Sequence, residues 1–167
     1  MTANRLDDPK VVRIDRMRYA KNTFSSRLTY LAILFNVLYF VSIYESDVGS
    51  WYYQIIIGGS IVYNLVFMLM TFLASEGVKN YKLGYSVLLL VAGAGQILRM
   101  FILPRMAYAA TITIKSVKYP VMDRSQLSWV IICLALSAAC CMVAGIVGII
   151  RSRKLAAYNA SLEEMTA

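Results

Sequence analysis

The chain has 167 residues, 59 % of them apolar, and a mean hydropathy of +0.61, which is too apolar for a water-soluble domain of this length. Seventeen Lys and Arg against nine Asp and Glu give a net charge of +8, carried by groups that stay cationic at neutral pH because there is no His. The missing His also removes the commonest general base, proton shuttle and imidazole ligand, which weakens most enzyme and metal-site readings before any motif is sought.

Residues 1–27 form a basic leader holding Arg5, Lys10, Arg13, Arg16, Arg18, Lys21 and Arg27. Val11, Ile14, Met17 and Phe24 are interleaved with these cations, a partly amphipathic pattern. A segment over about 11–26 is expected to rest on anionic lipid headgroups through Arg13, Arg16, Arg18, Lys21 and Arg27, at about 1 kcal/mol per cation before screening. The plainer alternative is a solvated leader that only orients the first span, and either explains the charge without nucleic acid.

Four apolar stretches follow, over about 28–44, 52–74, 84–103 and 127–150, each near the length that crosses a bilayer as a helix and none with an acidic residue. The expected fold is an all-α integral membrane protein, a bundle of four transmembrane helices with a longer outer loop at 104–126. Lys and Arg resist translocation, and they crowd the leader, the loop at 75–83 (Lys79, Lys82) and the tail at 151–167 (Arg151, Arg153, Lys154). Those segments, with both termini, are therefore expected in the cytoplasm. The first loop has no cation and holds Glu45 and Asp47, while Trp51 and Tyr52 mark the opposite membrane border.

Polar groups inside apolar spans are where membrane function concentrates, and four stand out: Asn36, Asn64, Gln96 and Arg99. Asn36 and Asn64 sit at matching depths in neighbouring spans and are expected to bond each other. Gln96 and Arg99, three residues apart, share a helix face. Arg99 lies four residues from the end of its stretch, about 6 Å by helix rise, near enough to snorkel to the border as an anchor beside Arg105. Otherwise it attracts an anion or a partner helix, because no span supplies a carboxylate.

The loop at 104–126 is longer than a helix connection needs, and Thr111 to Ile114 alternates as a strand does. A lone strand must pair within the loop, lie on the bilayer or join a partner's sheet. The third and fourth spans are rich in small residues: Gly93 in one, and in the other Cys141 with Gly145 and Ala144 with Gly148 at small-xxx-small spacing, a pattern that lets helices approach closely, within one chain or between chains. Cys133, Cys140 and Cys141 read as small apolar side chains of one helix, with no disulfide framework. The tail is expected to extend the last helix.

No motif for metal, nucleotide or nucleophilic chemistry occurs, so no catalytic residue, cofactor or metal ligand is assigned. The expected role is a non-catalytic accessory or structural subunit packing against a larger membrane complex such as a transporter. The alternative is a small homo-oligomeric transporter or channel lined by Asn36, Asn64, Gln96 and Arg99. The expected partners are anionic lipids on the cytoplasmic side and a membrane protein or a second copy, with no nucleic acid, in a cell membrane of the bacterial inner-membrane type.

Overall fold

A backbone in hydrocarbon must satisfy its own hydrogen bonds, and each apolar stretch does so as a helix. A computed structural model of the chain describes residues 9–44, 51–109, 111–114, 117–120 and 122–166, which are almost entirely helical. In chain order they form α1 (Pro9–Tyr19), α2 (Thr23–Tyr44), α3 (Trp51–Lys79), α4 (Leu83–Ala109), β1 (Thr111–Ile114), β2 (Val117–Pro120) and α5 (Arg124–Thr166). Helices α2 to α5 are each long and apolar enough to cross a membrane, which makes the chain a membrane protein with four candidate spans. Arg5, Glu45 and Asp47 lie outside the described residues, as do the side chains of Lys10, Trp51 and Tyr52.

Caps set the helix ends. The leader breaks at residues 20–22, where buried Asn22 caps α2: its Oδ1 accepts from the Ser25 N–H at 3.4 Å, and its own N–H donates to the Lys79 carbonyl at 2.9 Å. The helix thus starts at Thr23, ahead of the apolar run, because the cap and not hydropathy fixes its first turn. The expected nine-residue loop at 75–83 tightens to residues 80–82 for a similar reason, described below. Helix α4 runs past residue 103 and through Pro104, where an outer loop was expected to begin. Pro104 and Ala107 are buried against the bundle, and that packing offsets the hydrogen bond proline cannot make.

The strand-like segment pairs within its own loop, β1 antiparallel to β2, with Ile112 opposite Tyr119 and Thr113 opposite Lys118. Asp123 then caps α5: its carbonyl accepts from the Leu127 N–H, and its carboxylate takes the Ser125 hydroxyl at 2.6 Å. The Ser125 hydroxyl and the N–H groups of Arg124 and Ser125 hold the Asp123 carboxyl below its ordinary range. A depressed folded pKa stabilises above the unfolded value and is lost as pH falls through the folded one. The thermal advantage of wild type over Asp123→Ala is therefore expected to be full at pH 7 and to shrink only in acid below that range, as scanning calorimetry in detergent at stepped pH would show.

Helix α5 packs along α4 and α2, whereas α3 packs mainly on α2 and α4. Three buried groups run along the bundle axis. Tyr39, Ala107, Met122, Val130, Cys133 and Leu134 fill the hairpin end; Ala32, Phe67 and Cys141 fill the middle; Ala74, Val78, Leu89 and Ala144 fill the end nearer the termini. Leu34, Val41, Leu65, Leu69 and Leu98 face outward, a surface that water would not tolerate and lipid covers without cost.

The small residues of α4 and α5 meet each other inside this chain. A methyl on Gly93 would touch Met142, one on Gly145 would press on Leu90 and the Ser86 carbonyl, and one on Gly148 would meet Ser86 and Val78. Cys141 and Ala144 are fully buried on the same helix. These faces pack within one bundle.

Candidate functional site

Two constellations combine charge with enclosure: a polar core in the half of the bundle toward the hairpin, and a basic cleft near the termini.

The polar core brings together Asn36, Asn64, Gln96 and Arg99, in pairs other than those expected. Asn36 does not bond Asn64; its Oδ1 accepts from Gln96 Nε2 at 2.8 Å. Asn64 Oδ1 accepts from Arg99 Nη1 at 2.7 Å. The reason is charge: an arginine in the bundle outbids a neutral amide for the Asn64 acceptor. The other guanidinium edge, Nη2, donates to Ser60 Oγ at 2.8 Å.

Arg99 does not snorkel. It is 5 % exposed, and its guanidinium carbon lies 4.3 Å from the Tyr39 ring centroid and 4.9 Å from that of Tyr63. Helix α4 continues to Ala109, ten residues or about 15 Å by helix rise beyond Arg99, and the Arg99 side chain turns into the bundle instead of running along the helix toward that end. Two aromatic faces and two neutral acceptors replace water around the charge. Arg105, in contrast, is exposed and stacks over Phe101 at 5.4 Å.

Ser60, Tyr39 and Tyr63 escaped the sequence reading, although Ser60 and Asn64 stand at helical i, i+4 spacing and Tyr39 three residues from Asn36, the same rule that paired Gln96 with Arg99. Polar contacts continue along the bundle through Ser26 Oγ with Ser75 Oγ at 2.8 Å and from Ser137 Oγ to the Ala32 carbonyl at 2.9 Å.

The basic cleft is a cavity of about 830 Å³ between α1 and α5, with five cations on its walls: Arg13, Arg16 and Lys21 from the leader, Arg151 and Lys154 from α5. Arg18 and Arg27, also expected at lipid, are not among them: Arg18 faces Asp15 at 3.6 Å, and Arg27 is exposed on α2. Arg151 is held in place by its Nη1, which donates to the Oδ1 of the capping Asn22 at 2.7 Å, and it lies 5.8 Å over the Phe24 ring. Helix α1 is tethered to α5 by the Tyr158 hydroxyl, which donates to Asp15 at 3.3 Å.

Tyr81 closes the cleft from the α3–α4 turn. Its N–H reaches the Val78 carbonyl at 3.1 Å and the next N–H, of Lys82, reaches Gly77 at 3.1 Å, the paired bonds of a Schellman cap. That cap wants a glycine, yet Tyr81 occupies it at φ 58°. Burial pushes its phenol above the ordinary value, against the pull of Arg151, so the hydroxyl is a neutral donor at physiological pH. Tyr81→Gly is expected to raise the unfolding free energy by about 1 kcal/mol by relieving the left-handed tyrosine, read as a higher Tm in detergent.

Among the described residues no group of three or more His, Cys, Asp or Glu is placed to hold a metal ion. No known protein family matches this chain, and neither the curated proteins nor the solved structures include a significant match to it.

Proposed function

We propose that the chain is a non-catalytic multi-pass subunit that packs against a larger membrane complex such as a transporter, with both termini in the cytoplasm of a bacterial-type inner membrane. The inside rule supports the orientation, since the leader, the α3–α4 turn and the tail carry most of the cations. The observation that carries the role is the direction of the intramembrane polar groups. Asn36, Asn64 and Gln96 are fully buried and Arg99 nearly so, bonded among themselves and to Ser60. A pore assembled between copies would need these groups at the subunit boundary, where it could wet them. Each instead makes a hydrogen bond within one bundle, which favours a scaffold over a conduit.

The faces left for a partner are apolar and outward. Gly93, Gly145 and Gly148 are used within the chain, and α3, the span that packs least on the others, is the proposed docking face, with Val62, Leu65, Val66, Leu69, Phe72 and Leu73 in an exposed stripe at helical spacing. Mild-detergent capture of the tagged full chain from its native membrane, followed by mass spectrometry and native mass determination, tests the proposal. A larger membrane protein at fixed stoichiometry is expected. Free monomer alone would overturn it, and a self-assembled species alone would transfer the weight to a carrier, whose flux in proteoliposomes should then fall in Arg99→Ala.

A further inference from the structure

We infer that the cleft between α1 and α5 is a binding site for a phospholipid whose headgroup carries at least two negative charges on phosphate. Five cations converge on one concavity, and the ion pairs between described residues, Arg18 with Asp15 and Lys79 with Glu76, involve none of them. Like charges gathered on a concave wall repel and focus a positive potential into the space between them, a cost that an anion cancels. Guanidinium groups match phosphate oxygens in pairs, and two positively charged walls facing each other suit two phosphates better than one.

The other lining side chains identify the source of the phosphate. Ile14, Met17, Val147 and Ile150 share the cleft with the cations, and Ile150 is the last residue of the apolar run while Arg151 is the first beyond it. The cavity therefore straddles the border between hydrocarbon and headgroup, with an apolar wall for acyl chain and a cationic one for phosphate. A soluble phosphate would use only half of it. Tyr81 supports the same conclusion, because a non-glycine residue held at φ 58° places a phenol on the wall of this cavity. The site is also partly preorganised, through the bond from Arg151 to Asn22. The leader thus does more than rest on a surface: α1 and α5 build a pocket together.

The site is independent of the accessory-subunit reading, since the isolated full chain suffices for its test. Native mass spectrometry of the full chain in detergent, titrated with cardiolipin, phosphatidylglycerol, phosphatidylcholine or inorganic pyrophosphate, is the experiment. Cardiolipin is expected to be retained best and phosphatidylcholine least, with binding that weakens steeply as salt rises. The variant Arg13→Gln, Arg16→Gln, Lys154→Gln should lose on the order of a hundredfold in cardiolipin affinity, while its lipid-free Tm is equal to or above wild type. The control variant Arg105→Gln, Lys118→Gln, Arg124→Gln removes as much charge from exposed positions at the hairpin end and should bind as wild type does. Tyr81→Gly should bind more weakly although it is more stable, a pair of opposite signs that misfolding cannot produce. Equal cardiolipin binding by wild type and the cleft variant, an equal loss in the control, or no preference over phosphatidylglycerol would each overturn the inference. Pyrophosphate binding as tight as cardiolipin would overturn the lipid as the source of the phosphate.

Discussion

Replacing Arg99 with methionine is expected to lower the unfolding free energy of the bundle by about 3 kcal/mol, while the double variant Arg99→Met, Asn64→Leu recovers most of that loss. A single interhelical hydrogen bond in a membrane contributes about 0.6 kcal/mol, so the bonds to Asn64 and Ser60 alone explain only about 1 kcal/mol. The remainder comes from the Tyr39 and Tyr63 rings that flank the cation and from the buried acceptors that methionine leaves bare. Removing the Asn64 amide together with the charge eliminates the orphaned acceptor and substitutes packing for it, which is why the second change restores stability. Thermal or denaturant unfolding of the four chains in a double-mutant cycle gives the coupling directly. Additive losses would show that Arg99 and Asn64 act separately; an unchanged single variant would show that the guanidinium does not hold the helices.

The same cluster shows what one sequence discloses. Four spans are legible because about twenty apolar residues have one common use, and the count survives in α2 to α5. The ends are not, because they answer to single bonds: Asn22 to Lys79 starts α2, and the Tyr81 and Lys82 N–H groups stop α3, contacts between residues far apart or in an uncommon conformation. Among the polar residues the types are legible and the pairings are not. Depth alone placed Asn36 opposite Asn64, but which acceptor a helix offers depends on rotation about its axis, and the apolar sequence around it is too uniform to fix that rotation. The cleft was invisible for a related reason. Leader cations and tail cations are more than a hundred residues apart, and only the packing of α1 on α5 puts them on facing walls. From the sequence alone the leader cations point to a lipid surface and the tail cations to orientation, and neither points to a shared cavity.

Rotation of the helices is fixed instead by glycine, and the sharpest test of that is a series of added methyl groups. Gly145→Ala is expected to cost about 1–3 kcal/mol, because the new carbon would lie 2.8 Å from Leu90 Cδ2 and 2.9 Å from the Ser86 carbonyl, and a backbone oxygen cannot turn aside. Gly93→Ala should cost less, since its nearest neighbours are the Met142 side-chain atoms at 3.0 Å, the flexible part of an adaptable residue. Gly59→Ala, on the outward face of α3 with nothing within 4 Å, should gain up to about 1 kcal/mol through helix propensity. Unfolding midpoints of the purified chains in detergent should therefore rank Gly59→Ala above wild type, then Gly93→Ala, then Gly145→Ala. The ranking would fail if α4 and α5 met through other faces, for Gly145 would then behave like Gly59. Extending the series to Gly59→Leu connects stability with role. A bulky side chain there leaves the isolated bundle intact, so loss of a co-purifying complex in that variant, at unchanged Tm, would assign the partner to the exposed face of α3.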